Sequence, residues 1–352
     1  MGFLRNLFFD FGTSIGVDLG TANILIYVKN RGIVLNEPSV VALDERTREI
    51  IAIGTAAKKM LGRTPAGIVT VRPLRDGVIA DYDVTEQMLR YFIEQACGRN
   101  FIVKPRIMVC IPSGVTEVEE RAVKQAAQYA GAREAFLIEE PMAAAIGAGM
   151  DIYGAGGNLV CDIGGGTTDV AVISLGGIVA KTSLRMGGDK IDDAIIRYLR
   201  REHSLLIAEP CAEEIKIEIG TAYLNENNRD NYATVRGRDL VSGLPKSIKF
   251  SAAECFAAIE ESLMMIISAL KKVLDETPPE LAGDIVDRGM VLTGGGSMID
   301  GLPRLIAEHT GLHVYLAEDP VSCVAIGTGK SLAVLDNYAS GLNINMPARR
   351  AL

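Results

Sequence analysis

Tryptophan is absent from the 352 residues, and aromatic side chains make up only 5%. Histidine occurs three times, at His203, His309 and His313, without metal-ligand spacing, which argues against a zinc site. The six cysteines, Cys97, Cys110, Cys161, Cys211, Cys255 and Cys323, form no CxxC pair. Most sit in apolar stretches such as Val109-Cys110-Ile111, so they are expected to be reduced thiols of a cytoplasmic protein. No apolar run approaches about 18 residues, and no transmembrane helix is expected. Basic residues are not in excess: 36 Lys+Arg stand against 44 Asp+Glu, a formal net charge of -8. A global attraction to nucleic acid is therefore not expected. The nucleophile elbow GxSxG and the zinc motif HExxH are also missing. Gly327-Thr328-Gly329-Lys330-Ser331 resembles the end of a phosphate-binding P-loop, but the first glycine of that motif would fall at Val324. It lies inside an apolar helical pattern and is read as helix packing.

What the chain does have is alternation. Short β-branched runs alternate with helical patterns, which predicts an α/β fold with parallel or mixed sheets. Strands are expected at Ile15–Val17, Ile24–Val28, Arg106–Ile111, Leu159–Asp162, Asp169–Ser174 and Met290–Leu292 among others. Helices are expected at Val84–Cys97, Thr116–Ala130, Pro141–Gly149, Lys190–Arg201, Ala212–Ala222, Ala252–Leu274 and Val321–Leu332. Pro278-Pro279 marks a stop. The first residues stand apart. Phe3, Leu4, Leu7, Phe8 and Phe11 fall on one helical arc, with Arg5, Asn6 and Asp10 off it. They read as a short helix lying in a membrane interface, or else as a segment packed on its own domain. Asp10 interrupts the apolar run and no small-residue cleavage site follows, so a signal peptide is not expected.

Glycine is plentiful, with 37 residues, and three clusters matter. Ile15-Gly-Val-Asp18-Leu-Gly20-Thr21-Ala22-Asn23 and Val160-Cys-Asp162-Ile-Gly164-Gly165-Gly166-Thr167-Thr168 both read as strand, Asp-x-Gly turn, strand. Such an internal repeat suggests two related domains offering Gly-rich hairpins to a shared cleft. Backbone N–H groups of these turns can approach phosphate oxygens without Cβ interference. Thr21, Asn23, Thr167 and Thr168 can add side-chain donors. Asp18 and Asp162 would repel a polyphosphate unless a cation intervened, and Mg²⁺ is the expected one. The third cluster, Thr293-Gly294-Gly295-Gly296-Ser297, has no acid in its turn and suits close approach to a base or ribose.

With these turns in this order, the sequence resembles the actin, sugar kinase and heat-shock chaperone ATPase superfamily, and more narrowly the MreB family of bacterial actins. The resemblance rests on Asp18-Leu-Gly-Thr-Ala-Asn23, Gly32-Ile-Val-Leu-Asn-Glu-Pro-Ser-Val-Val41 and Arg72-Pro-Leu-Arg-Asp-Gly-Val-Ile-Ala-Asp81. It rests also on Glu140-Pro-Met-Ala-Ala-Ala-Ile-Gly147, Asp162-Ile-Gly-Gly-Gly-Thr-Thr168 and Leu292-Thr-Gly-Gly-Gly-Ser297, and it spans about Ile15 to Leu335. It implies an actin-like, ribonuclease H-like duplicated fold with two lobes around a nucleotide cleft. Residues 13–150 would form lobe I with a small outer subdomain near 32–80. Residues 151–337 would form lobe II with an outer subdomain near 190–255. Residues 1–12 would be the membrane segment and 338–352 a tail.

The resemblance further implies ATP and Mg²⁺ as cofactors. Gly20, Thr21, Ala22, Asn23, Gly164, Gly165, Gly166 and Thr167 would hold phosphate, with Asp18 and Asp162 organising the metal through water. Glu213, Glu214 and Lys216 would reach the sugar and base side, and Gly294, Gly295, Gly296, Ser297 and Met298 would line the adenosine. A surface ion pair is the other reading of Glu213 and Lys216. Glu140 would orient the attacking water with Thr167 assisting; the alternative is that Glu140 merely caps the helix begun by Pro141. The family pattern also implies slow ATP hydrolysis, antiparallel double filaments, and a cytoplasmic protein peripheral on the inner face of the cell membrane. Partners would be the elongation machinery such as RodZ, MreC and MreD, serving cell-wall synthesis and rod shape. Phe101 and Ile102 are a second candidate membrane contact, or the start of a strand. The alternative function is a small-molecule kinase using the same cleft, for which no separate acceptor base is evident. A chaperone ATPase would need a substrate-binding domain after Leu335.

Overall fold

The computed structural model describes residues 14–98 and 104–339. The first lobe opens with β1 (Ser14–Leu19), β2 (Asn23–Val28) and β3 (Gly32–Pro38), an antiparallel meander. A small outer sheet follows, built from β4 (Val41–Asp44), β5 (Ile50–Ile53) and β6 (Ile68–Val71), with the short helix α1 (Thr55–Lys58) beside it. A two-stranded ribbon, β7 (Leu74–Arg75) and β8 (Val78–Ile79), turns at Asp76-Gly77. Helix α2 (Tyr82–Cys97) starts where the Asp81 carboxylate accepts the Val84 N–H. Its buried face carries Val84, Met88, Leu89, Phe92 and Ile93, spaced for one side of a helix. Each large apolar side chain so buried contributes about 1.5–3 kcal/mol. Strand β9 (Arg106–Ile111), helix α3 (Glu117–Tyr129), strand β10 (Glu134–Glu139) and helix α4 (Glu140–Gly147) complete the lobe. A reciprocal Thr116–Glu119 capping box starts α3.

The second lobe repeats the plan. Strands β11 (Asn158–Ile163), β12 (Thr168–Ser174) and β13 (Gly177–Leu184) form its meander. Helix α5 (Gly188–His203), strand β14 (Leu205–Leu206), helix α6 (Glu209–Ile219), strands β15 (Tyr232–Asp239) and β16 (Pro245–Ser251) and the long helix α7 (Ala252–Asp275) follow. Helix α8 (Pro279–Arg288), strand β17 (Met290–Thr293), helix α9 (Leu302–Thr310), strand β18 (Val314–Leu316) and helix α10 (Cys323–Ala339) end the described chain. The two principal sheets have orders β10-β9-β1-β2-β3 and β18-β17-β11-β12-β13, so they match strand for strand. In each, the first meander strand pairs in parallel with a later strand, β1 with β9 and β11 with β17. Strands β1, β11 and β12 are buried along nearly their whole length, as central strands covered on both faces must be.

Helices α4 and α10 join the lobes, with α10 packed on α4 and on β1. Glycine makes this possible. A Cβ at Gly147 would run into the Cys323 carbonyl, and one at Gly327 into that of Ala143. The Gly327–Ser331 stretch is helix packing, as its apolar setting predicts. Pro278-Pro279 behaves differently from the expectation of a plain stop. The pair ends α7 and also begins α8, since proline is tolerated in a first turn where its missing N–H is not needed. Strands β5 and β6 and helices α1 and α8 were not anticipated. Among the described residues no helix is long and apolar enough to cross a membrane. The candidate membrane residues Phe3, Leu4, Leu7, Phe8, Phe11, Phe101 and Ile102 lie outside the described residues.

Candidate functional site

The two matching hairpins meet face to face over a cleft of about 640 Å³, a size ordinary for a nucleotide-sized ligand. The β1–β2 turn contributes Gly20, Thr21, Ala22 and Asn23, and the β11–β12 turn contributes Gly164, Gly165, Gly166 and Thr167. Their approach is close enough that a Cβ on Gly165 would lie 2.6 Å from the Ala22 Cβ and 3.1 Å from its backbone nitrogen. A Cβ on Gly166 would strike the Thr21 hydroxyl. Behind the second turn, α5 is docked by its backbone: Gly188 and Asp189 donate N–H bonds to the Gly164 and Gly165 carbonyls, both at 2.9 Å. The Asp76-Gly77 turn closes the third side. The Gly77 N–H donates to Thr21 Oγ1 at 3.1 Å, and a Cβ on Gly77 would strike Thr167 and Pro112. The sequence signal for this contact, an Asp-Gly hairpin turn, was present in Arg72–Asp81, but nothing in it pointed to the cleft.

The floor of the cleft is acidic. Asp18 and Asp162 are the next-to-last residues of β1 and β11, and burial pushes their carboxyls up to about 6 and about 7. Asp162 accepts a hydrogen bond from Thr293 Oγ1 at 2.7 Å, and Asp18 accepts one from Cys110 Sγ at 3.3 Å. Glu140, 8% exposed, opens α4. Burial first, then the charges of Asp169, Asp162 and Asp18, raise its carboxyl well above the usual glutamate range. Thr167 Oγ1 lies 3.5 Å from Glu140 Oε2. The neighbouring Glu139 points outward and pairs with Lys181, so the two adjacent acids have different surroundings. Asp169 is fully buried, accepts the Ser113 N–H at 2.8 Å and is pushed up to about 6 by burial. The roles of Cys110, Thr293 and Asp169 escaped sequence reading, because nothing local marks a residue whose hydrogen-bond partner is 56 to 131 positions away.

These groups fit a hydrated divalent cation. They are hard oxygen donors whose burial is costly without a counter-charge. Among the described residues no cluster of three potential ligands could hold a metal alone. A cation there would share its shell between carboxylates, water and phosphate oxygens, which is the habit of magnesium.

The remaining predicted residues divide. Glu213 and Lys216 line the cleft, while Glu214 faces a separate hollow near Lys59 and Cys211. Glu213 reaches across the cleft mouth to Lys58 at 2.7 Å. Lys216 pairs with Asp192 at 2.9 Å and donates to the Gly188 carbonyl at 3.1 Å. Gly294, Gly295, Gly296 and Met298 also line the cleft, as do Ile217, Gly220 and Thr221. Gly294 has φ +80° and Gly296 packs on Ile163, so this turn lies flat on β11. Ser297 is buried, donating to the Gly294 carbonyl at 2.6 Å, and braces the turn from behind.

Comparison with known proteins agrees with this geometry. The family model described as MreB/Mbl protein matches residues 12–340. The chain is 52% identical over 337 residues to the cell shape-determining protein MreB of Escherichia coli (strain K12), covering 94% of this chain and 96% of the relative. It is 51% identical over 326 residues to the cell shape-determining protein Mbl of Bacillus subtilis (strain 168), covering 93% and 97%. Crystal structures of MreB5 of Spiroplasma citri bound to ADP and to AMPPNP superpose with TM-scores of 0.88, at 37% and 38% identity, over 94% of this chain and 98% and 99% of theirs. The filament protein MamK shares the fold at 21% identity, with a TM-score of 0.78. With its actin-like fold and its match over nearly the whole length, the chain belongs to the MreB/Mbl family of cell shape-determining proteins.

Proposed function

We propose that this chain is an ATP-dependent, filament-forming bacterial actin that assembles on the inner face of the cell membrane and organises cell-wall synthesis to maintain rod shape. The carrying observation is the meeting of two Asp–Gly turns, from two sheets of matching topology, with no room for a side chain between them. Backbone N–H groups of Gly20–Asn23 and Gly164–Thr167 hold the phosphates. The Gly294–Met298 turn and the Lys216–Thr221 wall take the nucleoside. Nucleotide complexes of MreB5 support the same use of this cleft.

Magnesium, when bound, supplies charge neutralisation for the phosphates. Asp18 and Asp162 are the residues that would hold it. Glu140 orients the attacking water and accepts its proton at a carboxylate oxygen, while the Thr167 hydroxyl fixes the Glu140 rotamer. Phosphoryl transfer asks mainly for such positioning, so hydrolysis through one carboxylate is slow but sufficient to time assembly. Family membership supports self-association into antiparallel double filaments. Phe3–Phe11, or Phe101 with Ile102, carries the membrane contact, and many weak anchors on one filament add up through avidity. Family membership supports elongation-machinery partners such as RodZ, MreC and MreD.

The test is electron microscopy and pelleting of the purified chain with ATP, magnesium and liposomes. Filaments lying on lipid only with nucleotide are expected. Stoichiometric phosphorylation of a sugar or acid, with no pelleting, would replace the polymer by a small-molecule kinase.

A further inference from the structure

We propose that Thr293 and Cys110 are matched positioning residues for the two cleft aspartates, each donating its side-chain hydrogen to one carboxylate oxygen and leaving the other for a hydrated divalent cation. The inference rests on the nucleotide reading above and deepens it. Both residues come from the strand that runs parallel to the aspartate's own. In the second lobe Thr293 of β17 stands directly opposite Asp162 of β11. In the first lobe Val109 of β9 stands opposite Val17 of β1, so Cys110 falls beside Asp18 one residue on. The duplicated sheets thus deliver a donor to each aspartate by the same step of the same strand pairing.

The contacts follow that register. Thr293 Oγ1 donates to Asp162 Oδ1 at 2.7 Å, and Cys110 Sγ to Asp18 Oδ1 at 3.3 Å. Thr293 has no solvent exposure and Cys110 only 2%, so neither donor can exchange its partner for bulk water. Valine has nearly the shape of threonine and suits a buried strand at least as well. A hydroxyl at that depth needs an acceptor, and Asp162 supplies it. A carboxylate that binds metal through water must present one oxygen at a fixed angle. A donor on the other oxygen holds that angle, as outer-shell partners of metal ligands do. The two braces differ in strength, since a hydroxyl is a good donor and a thiol a weak one. Asp162 is therefore the stiff arm of the pair and Asp18 the compliant one.

The experiment titrates a fluorescent ATP analogue against the full-length chain at a series of magnesium concentrations, and again in EDTA. Thr293→Val should raise the magnesium concentration for half-maximal binding by roughly tenfold or more. Thr293→Ser should stay close to the parent chain, and Cys110→Ala should shift the midpoint in the same direction but by less than Thr293→Val. Binding in EDTA should be equal in all of them. Should Thr293→Val fail to fold, Thr293→Ala carries the same expectation. An unchanged magnesium midpoint in Thr293→Val, an equal loss in Thr293→Ser, or an equal loss in EDTA would overturn the inference while leaving the nucleotide site standing. A parent chain without magnesium-dependent binding would instead overturn the nucleotide reading, and this inference with it.

Discussion

Replacing Gly165 by alanine isolates the contact on which the proposed nucleotide site depends. The added Cβ would lie 2.6 Å from the Ala22 Cβ. Non-bonded carbons prefer separations of about 3.5–4.0 Å. One hairpin must therefore retreat from the other by roughly 1 Å. The two hairpins belong to different sheets, so the nucleotide-free protein can relieve the clash by parting the lobes slightly, at little expense to either core. A polyphosphate bound as proposed could not accept that relief, because it would have to touch both turns at once. Misplacement by about 1 Å at a positioning contact costs on the order of 100-fold, about 2.8 kcal/mol of binding. Gly164→Ala is the internal control. Its Cβ would meet the Thr167 carbonyl oxygen at 3.4 Å, close to an ordinary contact, and nothing on the opposite hairpin. The assay is equilibrium binding of a fluorescent ATP analogue with saturating magnesium, together with the thermal midpoint of the nucleotide-free chain. Gly165→Ala should lose affinity about 10- to 100-fold with little change in the midpoint, and Gly164→Ala should lose much less. Equal affinities for the two variants would refute the idea that hairpin-to-hairpin contact builds the site.

Glu140→Ala should keep nucleotide affinity yet slow phosphate release by about 100-fold or more; an unchanged hydrolysis rate would remove Glu140 from the mechanism. Burial raises Asp162 to about 7 and Asp18 to about 6. Because these folded-state values lie above the unfolded ones, the protonated forms stabilise the nucleotide-free fold at low pH, and that stability is lost as pH rises through about 6 to 7. The thermal midpoint of the free chain should therefore fall as pH rises from the ordinary aspartate value of 3.8 to about 7 and level off above it, and a flat profile in scanning calorimetry would contradict the buried-acid floor. Lys58→Ala removes the exposed pair with Glu213 across the cleft mouth. Such pairs are worth about 0.2–1 kcal/mol, so stopped-flow nucleotide release should quicken no more than about fivefold. Deleting Met1–Phe11 should weaken liposome flotation, and undiminished flotation would shift the membrane contact to Phe101 and Ile102.

What was legible in the sequence was whatever is local in the chain. The two Asp-x-Gly turns announced themselves because turn chemistry is read within a few residues, and both proved to be hairpins with the aspartate on the first strand. Helices α2, α3 and α7 carry side-chain caps and long periodic faces, and their expected bounds fall within one or two residues of those observed. The outer sheet of the first lobe was harder. Strands β5 and β6 have four residues each and are only partly buried, so period-two alternation has little length in which to show. Glu214 and Ser297 illustrate the opposite limit. Both neighbour cleft residues in sequence, yet helix geometry turns Glu214 to another hollow and the tight turn points Ser297 inward.

The charge arrangement explains why such a cleft would respond to its ligand. At the rim, opposite charges join the lobes: Lys58 with Glu213 at 2.7 Å, Lys190 with Asp76 at 3.4 Å and Arg72 with Glu209 at 3.5 Å. At the floor, Asp18 from one lobe and Asp162 and Asp169 from the other crowd around Glu140, and each raises its carboxyl. Exposed rim pairs are weak and screened by water, whereas repulsion among buried acids is not. Closing the cleft without a cation thus gains little at the mouth and costs more at the base, unless protons are taken up. On the proposed function, a magnesium-bound polyphosphate would reverse that balance, since the metal would neutralise the floor while the phosphates took up the N–H groups of both turns. Nucleotide binding would then be coupled to lobe closure both by charge neutralisation at the floor and by the contacts of the phosphates with the two turns. Low salt should strengthen the rim pairs and favour closure of the free chain, and magnesium without nucleotide should act on the floor only.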